Sequence, residues 1–187
     1  MRIIAGKFRG KKILDPIDLK TRPLKDLTKE SIFNIIQHSK KIRFNLQNSE
    51  ILDLFSGTGS FGIECLSRDV KFVTFVENYV GVLPILKKNL ASLKDIDNYK
   101  IIERNILHNF DFKIFPNKFD LIFLDPPFRE KELKLILKSI FNTKILKNNG
   151  VLIMHRNKKH KDDYPDNFKV IEEKKYGISK ITFGKYD

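Results

Sequence analysis

The residues with most chemistry to offer lie in two short runs. Asp53-Leu54-Phe55-Ser56-Gly57-Thr58-Gly59-Ser60-Phe61-Gly62 closes an apolar stretch and opens a helical one, and Phe119–Leu124 runs into Asp125-Pro126-Pro127-Phe128. In the first run Gly57, Gly59 and Gly62 have the spacing G-x-G-x-x-G, and Glu77 ends the next apolar stretch 20 residues after Gly57. Glycines permit a ligand to approach the backbone more closely than a Cβ would allow. An acid at the tip of the second strand can accept hydrogen bonds from both hydroxyls of a ribose. Taken alone this is the fingerprint of a dinucleotide site, so the neighbouring residues must decide. Asp53, four residues before Gly57, would repel a pyrophosphate but suits the cationic amino-acid end of S-adenosylmethionine. The strand also continues through Phe55-Ser56, where dinucleotide folds turn sooner. S-adenosylmethionine is the expected ligand, held by Asp53, Phe55, Ser56, Gly57, Thr58, Gly59 and Glu77. Asn105, just past the third strand, lies where a side chain can meet the adenine amino group. An Asn in such a loop can equally cap its own turn.

The Asp125-Pro126-Pro127-Phe128 run is the more specific signal. Ligands of open α/β sheets sit beyond the carboxyl ends of the strands, so this run and the glycine loop should face one crevice. Two successive prolines fix φ and donate no hydrogen bonds. They form a stiff frame whose carbonyls, with the Asp125 carboxylate, can accept from an amino group. Phe128 offers a flat face on which a base can stack. An exocyclic amine on a base is a poor nucleophile because its lone pair is delocalised into the ring. Acceptors around its N–H groups favour a pyramidal nitrogen and take up positive charge as a bond to methyl forms, so positioning does much of the work. Asp125, Pro126, Pro127 and Phe128 are the catalytic candidates, with Asp125 also beside the cofactor.

Charge supplies the substrate class. The chain carries 36 Lys+Arg against 23 Asp+Glu, a formal net charge of +13. Residues 1–50 alone hold 12 basic and 5 acidic groups, over half of the excess. A basic field of this kind steers polyanions, and nucleic acid is the expected partner. Arg2, Lys7, Arg9, Lys11, Lys12 and Arg22 are the phosphate-contact candidates, although basic residues also protect an edge strand from aggregation. One Cys among 187 residues excludes an intramolecular disulfide and makes a reducing cytosol the default. Cys65 reads as a small buried hydrophobe. Four scattered His and that Cys make no metal-ligand cluster, so no metal is expected. No apolar stretch reaches the length of a membrane span, and the polar N-terminus does not read as a secretion signal.

These residues need elements to position them. The opening reads as a hairpin, with Arg2–Ala5 and Lys11–Leu14 around a turn at Gly6 to Gly10. A helix follows from about Asp26, as N-cap, to about His38. From residue 50 the texture alternates. Near-continuous apolar strands are expected at Ile51–Phe55, Phe72–Glu77, Lys100–Glu103, Phe119–Leu124 and Val151–His155, with helices at Ser60–Ser67, Val80–Leu93 and Glu130–Phe141. A closing antiparallel hairpin, Phe168–Lys174 and Ser179–Phe183, turns around Gly177. His155 ends its strand and reads simply as a cap. The sum is an α/β chain with a doubly wound, mostly parallel sheet of seven strands, Rossmann-like. Residues 1–45 form a basic hairpin-and-helix extension and residues 46–187 the S-adenosylmethionine-binding domain.

With these motifs placed, the chain resembles the RsmD family, bacterial methyltransferases of guanine N2 in small-subunit ribosomal RNA. The resemblance runs nearly end to end. It is carried by Arg2-Ile3-Ile4-Ala5-Gly6-Lys7-Phe8-Arg9-Gly10, by Arg22-Pro23 with Asp26, Glu30 and Phe33-Asn34, and by Leu52 to Gly59. Gly62-Ile63-Glu64, Leu66-Ser67-Arg68, Phe75-Val76-Glu77, Asp125 to Phe128, and Tyr176-Gly177 with Ile181 continue it. The N-terminal pattern narrows the match, since the two central motifs are shared by many amino-methyltransferases. The resemblance implies a class I fold, S-adenosylmethionine as donor, Asp53, Gly57, Gly59 and Glu77 as its contacts, and Asp125 to Phe128 as the amine-holding tetrad. It further implies a substrate of ribosomal RNA that already carries ribosomal proteins; the protein itself is expected to be a cytoplasmic monomer. Three departures stand out: Leu24-Lys25 in place of Thr-Thr, Asn105 in place of Asp, and Asp69 in place of Gly. Rival readings are a DNA adenine-N6 or cytosine-N4 methyltransferase, a catalytically silent RNA-binding assembly factor, and an NAD-linked enzyme.

Overall fold

A computed structural model of the chain describes residues 1–18, 23–42, 44–107, 110–127 and 132–186. Seven strands form one sheet: β1 Glu50–Leu54, β2 Phe72–Glu77, β3 Tyr99–Glu103, β4 Phe119–Leu124, β5 Leu146–Asn157, β6 Phe168–Tyr176 and β7 Ser179–Tyr186. Their order is β3-β2-β1-β4-β5-β7-β6. The first five are parallel, and β7 enters antiparallel between β5 and β6. Because the chain winds outward from β1 on one side and from β4 on the other, the strand order reverses between them. That reversal opens a crevice at the carboxyl ends of β1 and β4.

Helices α1 Asp26–His38, α2 Ser60–Ser67, α3 Leu83–Ala91 and α4 Leu133–Thr143 cover the sheet. Alternation along the strands sends Ile51, Val73, Phe75, Leu121, Phe123, Val151 and Ile153 to one face, where they pack with α1, α2, α3 and the N-terminal residues Ile3 and Ile13. Leu52, Leu54, Val76, Ile122, Leu124, Leu152 and Met154 pack on the other face with α4 and the 3₁₀ turn Phe112–Ile114. Every residue of α2 is buried, because the sheet lies on one side of it and the N-terminal extension on the other. No helix among the described residues is long and apolar enough to cross a membrane.

The expected elements are all present, with four differences that have physical causes. Asp26 is the first helical residue and not the cap; Lys25 holds the cap position without a side-chain hydrogen bond. The Asp26 carboxylate turns instead to the Arg2 N–H at 3.3 Å and to Lys29 at 3.8 Å. α3 starts at Leu83 because Pro84, lacking an N–H and fixed in φ, fits only the first turn. β5 begins five residues earlier than Val151 across a register irregularity opposite Phe119 and Leu121. The opening hairpin is a single antiparallel bridge between Arg2 and Lys12, reinforced by Ile3 N–H to Lys11 and Ile13 N–H to Met1. Its alternation buries Ile3 and Ile13 and leaves Arg2 and Lys12 exposed.

The extension is bound to α2 by a buried polar network. The Glu64 carboxylate accepts the N–H groups of Ile4 at 2.7 Å and Ala5 at 3.0 Å and pairs with Arg68 at 2.9 Å. Lys29, fully buried, donates to Arg2 O at 2.8 Å and Ser60 Oγ at 3.1 Å and lies 3.7 Å from Glu64. Burial lowers the Lys29 pKa, while Glu64 and Asp26 oppose the shift. Asp69, after this helix, has φ of +60°, a conformation Asp tolerates better than most side chains.

Candidate active site

The strand period that builds the core also assembles the site. Asp53, Glu77, Asp125 and His155 continue the alternation of Ile51, Phe75, Phe123 and Ile153, so all four belong to the α2 face of the sheet. The parallel register sets Asp53 beside Phe123 and Phe123 beside Ile153. One step further along, Asp125 and His155 are neighbours. The crevice between β1 and β4 is a cavity of about 710 Å³ lined by all four of these residues, the glycine loop, Pro126 and Pro127.

The glycine loop is held on three sides. Ser56 Oγ donates to the Asp53 carbonyl at 2.6 Å and accepts the Val76 N–H at 3.0 Å. Glu77 accepts the Gly57 N–H through one oxygen and the Asn78 and Tyr79 N–H groups through the other, each at 2.8 Å. Asn89 of α3 donates to the Thr58 carbonyl at 2.9 Å. Phe55 takes φ of +59°, a costly conformation for an aromatic residue that the surrounding contacts enforce. Gly57 has φ of +55° and faces the cavity. Gly59, at φ of +83°, is the N-cap of α2 and does not line the cavity; a Cβ there would meet Leu86 at 2.5 Å. At Gly62 a Cβ would lie 2.3 Å from the Phe75 ring. The three glycines therefore serve a turn facing the pocket, a helix start and close helix–strand packing, respectively.

The electrostatics are those of a cation site. Burial pushes the Asp53 carboxyl well above the ordinary range; a 3.0 Å bond from Gly62 N–H opposes this, and Asp125 and Glu77 reinforce it. Among the described lining residues there are three carboxylates and no Lys or Arg. A positive group would relieve their mutual repulsion, whereas a pyrophosphate would worsen it.

The Asp125 segment is gripped from β5. His155, buried, places Nδ1 2.8 Å from Asp125 Oδ1 and Nε2 2.8 Å from Ser179 Oγ. The next residue, Arg156, donates from Nη1 to the Pro127 carbonyl at 3.1 Å and from Nε to Asp162 at 3.1 Å. Asp162 also pairs with Lys180 at 2.6 Å. The Pro127 carbonyl thus already accepts one hydrogen bond, and the Pro126 carbonyl and Asp125 are the other acceptors of the frame. Phe61 and Phe123 stack at 3.9 Å between centroids beneath this edge of the cavity.

The structure brings Asp53, Phe55, Ser56, Gly57, Thr58, Glu77, Asn105, Asp125, Pro126 and Pro127 to one cavity wall. Asn105 lines it while its Oδ1 caps its own turn by accepting the Leu107 N–H at 2.9 Å. Phe128 and Arg22 lie outside the described residues. Arg2, Lys7, Arg9 and Lys12 are exposed; Lys11 is half-buried and gives its ammonium to the Ser92 carbonyl. Cys65 is buried in the core, and burial raises its thiol pKa well above the ordinary value. Sequence reasoning missed Arg156 and Tyr79 and misread His155, which lies inside β5 and bonds Asp125 rather than capping the strand. Leu24, one of the Leu24-Lys25 departures, is buried and lines the cavity beside Pro23. The one cue for His155 in the sequence was its alternation with Ile153, which puts both on the same face of the strand; its place opposite Asp125 follows from the register of the folded sheet.

Comparison with known proteins adds to this geometry. The family model described as "Conserved hypothetical protein 95" matches residues 1–185. A Haemophilus influenzae protein named Ribosomal RNA small subunit methyltransferase D is 35% identical over 182 residues, spanning 95% of this chain and 90% of that protein. A Buchnera aphidicola protein of the same name is 34% identical over 173 residues, covering 92% of this chain and 86% of its own. Among solved structures, a putative methylase from Haemophilus influenzae superposes with a TM-score of 0.75 at 33% identity, covering 99% and 97% of the two chains. The sheet order and these neighbours define a Rossmann-like class I methyltransferase fold.

Proposed function

The chain belongs to the RsmD family, described as "Conserved hypothetical protein 95", and from that membership we propose that it methylates the exocyclic N2 amine of a guanine in small-subunit ribosomal RNA. The observation that carries this reading is the joint lining of one cavity by Asp53, Glu77 and the Asp125-Pro126-Pro127 frame, without a Lys or Arg among its described residues. S-adenosylmethionine, when bound, supplies an electrophilic methyl group on a cationic sulfur. Asp53 would meet its ammonium end, Glu77 its ribose hydroxyls and Asn105 its adenine, with Phe55, Ser56, Gly57 and Thr58 in the wall around it and Gly59 setting the turn behind them.

On the substrate side, Asp125 and the Pro126 carbonyl accept the two N–H groups of the amine, and Phe128 stacks on the base. Asp125 would stabilise the positive charge that nitrogen gains as the methyl–sulfur bond of the donor gives way to a methyl–nitrogen bond, leaving a neutral thioether, and would receive the proton that the nitrogen then loses. His155 fixes the orientation of that carboxylate, and Arg156 that of the proline frame. The hairpin residues Arg2, Lys7, Arg9, Lys11 and Lys12, with Arg22, hold RNA phosphates. The substrate is an assembling subunit with bound ribosomal proteins, and the enzyme acts as a cytoplasmic monomer. Incubation with tritiated S-adenosylmethionine and small subunits from cells lacking this gene should label one guanine as N2-methylguanine on mass-spectrometric mapping. Asp125→Ala should remove the label by orders of magnitude with RNA binding intact. Label confined to DNA, or an Asp125→Ala protein of full activity, would overturn the proposal.

A further inference from the structure

We propose that the groove beside the cavity binds the nucleotide adjoining the target base in a single-stranded segment of the RNA. The groove has a volume of about 190 Å³ and shares Pro23 and His155 with the main cavity. Its walls come from two distant parts of the chain: the lead-in and first turn of α1, with Lys25, Leu27 and Thr28, and the β6–β7 turn, with Tyr176, Gly177 and Ile178. That turn has two residues between the paired Tyr176 and Ser179, with φ of +55° at Gly177, the backbone of a tight hairpin that needs glycine at its first central position.

Three large apolar side chains are exposed on this one groove: Leu27 at 77%, Ile178 at 45% and Tyr176 at 37%. Single exposed apolar residues need no explanation, whereas a convergent set marks a contact surface. The surroundings are basic. Lys25 is in the wall, and exposed Lys158 and Lys159 follow β5 where the Lys158 N–H bonds the Ile178 carbonyl at 2.8 Å. An exposed aromatic ring and aliphatic groups flanked by lysines match the demands of an unstacked nucleotide, whose base seeks a flat apolar face and whose phosphate seeks a cation. Adjacency to the cavity, across the shared walls of Pro23 and His155, selects this occupant. A base drawn into the pocket leaves the stack, and its neighbour on the strand must be received nearby. The inference rests on the RNA-methylation reading.

The test uses Tyr176→Ala and Ile178→Asp, both on the exposed face of the β6–β7 turn, with cooperative melting of each variant as the control for folding. A short fluorescein-labelled single-stranded RNA of mixed sequence is titrated against each protein in the presence of S-adenosylhomocysteine. Each variant should bind roughly tenfold more weakly, as loss of one base-stacking contact does, with S-adenosylhomocysteine affinity unchanged. Small subunits from cells lacking the gene and grown with thiouridine should crosslink, on irradiation, to the peptide carrying residues 176–178. Wild type that methylates RNA while both variants bind and turn over as it does would overturn the groove alone, as would crosslinks confined to residues 1–12. Weakening seen with protein-bearing subunits but not with naked RNA would assign the groove to a protein and overturn the proposal. Wild type that transfers no methyl group to RNA removes the underlying reading, and is told apart from these cases by that control.

Discussion

Replacing His155 tests whether Asp125 works because of where it is held. The ring spans from Asp125 to Ser179 with two contacts of 2.8 Å and is 4% exposed. His155→Ala removes the partner of a half-buried carboxylate without touching the glycine loop, Asp53 or Glu77. A hydrogen bond to a charged group is worth about 1.5–3 kcal/mol, and each ~1.4 kcal/mol is a factor of ten in rate. The expected loss in kcat is therefore on the order of 10- to 100-fold, with the donor KM and the S-adenosylhomocysteine Kd within about twofold of wild type. His155→Asn should recover part of the loss, because its amide nitrogen can stand near the place of ring Nδ1. Ser179→Ala, which frees the far side of the ring, should cost less than His155→Ala. Single-turnover methylation of RNA with saturating donor measures kcat, and calorimetry measures the Kd. A His155→Ala protein that melts cooperatively and turns over within threefold of wild type would refute the argument. So would a fall in donor affinity as large as the fall in rate, which would place the residue at the cofactor.

Three further outcomes follow from the same geometry. Asp53→Asn should abolish most donor binding yet leave the ligand-free protein as stable or more so at neutral pH. The folded-state pKa of Asp53 is raised, so its favourable contribution is full below the ordinary value near 3.8 and is lost as pH rises through the folded pKa. Melting curves of both proteins across that window should coincide at the acid end and separate above it. Gly62→Ala should destabilise by about 1–3 kcal/mol through overpacking, since its Cβ would lie 2.3 Å from the Phe75 ring; urea unfolding reads this directly, and an unchanged midpoint would contradict it. Lys7→Glu with Arg9→Glu, both exposed, should leave S-adenosylhomocysteine binding intact. The slope of log affinity for RNA against log salt should shrink by about one per lost phosphate contact, and an unchanged slope would move the RNA elsewhere.

What the sequence disclosed and what it withheld divide along the range of the interactions. The glycine loop, the strand ends and the Asp125-Pro126-Pro127 frame are local: spacing, φ restriction and alternation of apolar residues are all written within a few positions. Boundaries failed where a single residue outweighed the pattern, as Pro84 did at the start of α3, or where a distant partner claimed the expected cap, as the Arg2 N–H did Asp26 of α1. The grip of His155 on Asp125 spans 30 residues and depends on the parallel register of β4 and β5, which no local pattern specifies. The Arg156 bond to the Pro127 carbonyl is of the same kind. Glu64 shows the same limit, since its partners Ile4 and Ala5 are brought to it only when the extension folds over α2. Phe55 is a different case: nothing in an aromatic side chain announces φ of +59°, and only the Ser56 and Glu77 contacts that lock the loop make it tenable.

The basic chain and its acidic pocket belong to one electrostatic arrangement. The protein carries a net charge of +13, yet Asp53, Glu77 and Asp125 line a cavity with no Lys or Arg among its described residues. Low-dielectric walls focus the field of these carboxylates inward, while the lysines and arginines act from outside. A phosphate pushed into the cavity would face three carboxylates at short range. A base entering on a polymer keeps its phosphates at the basic exterior, where Arg2, Lys7, Arg9 and Lys12 are exposed, and presents only its neutral edge to Asp125. On the proposed reading this division selects polymer over free nucleotide without any contact that reads chain length. It also favours an entering edge that donates hydrogen bonds, as an exocyclic N–H pair does, over an edge that only accepts them.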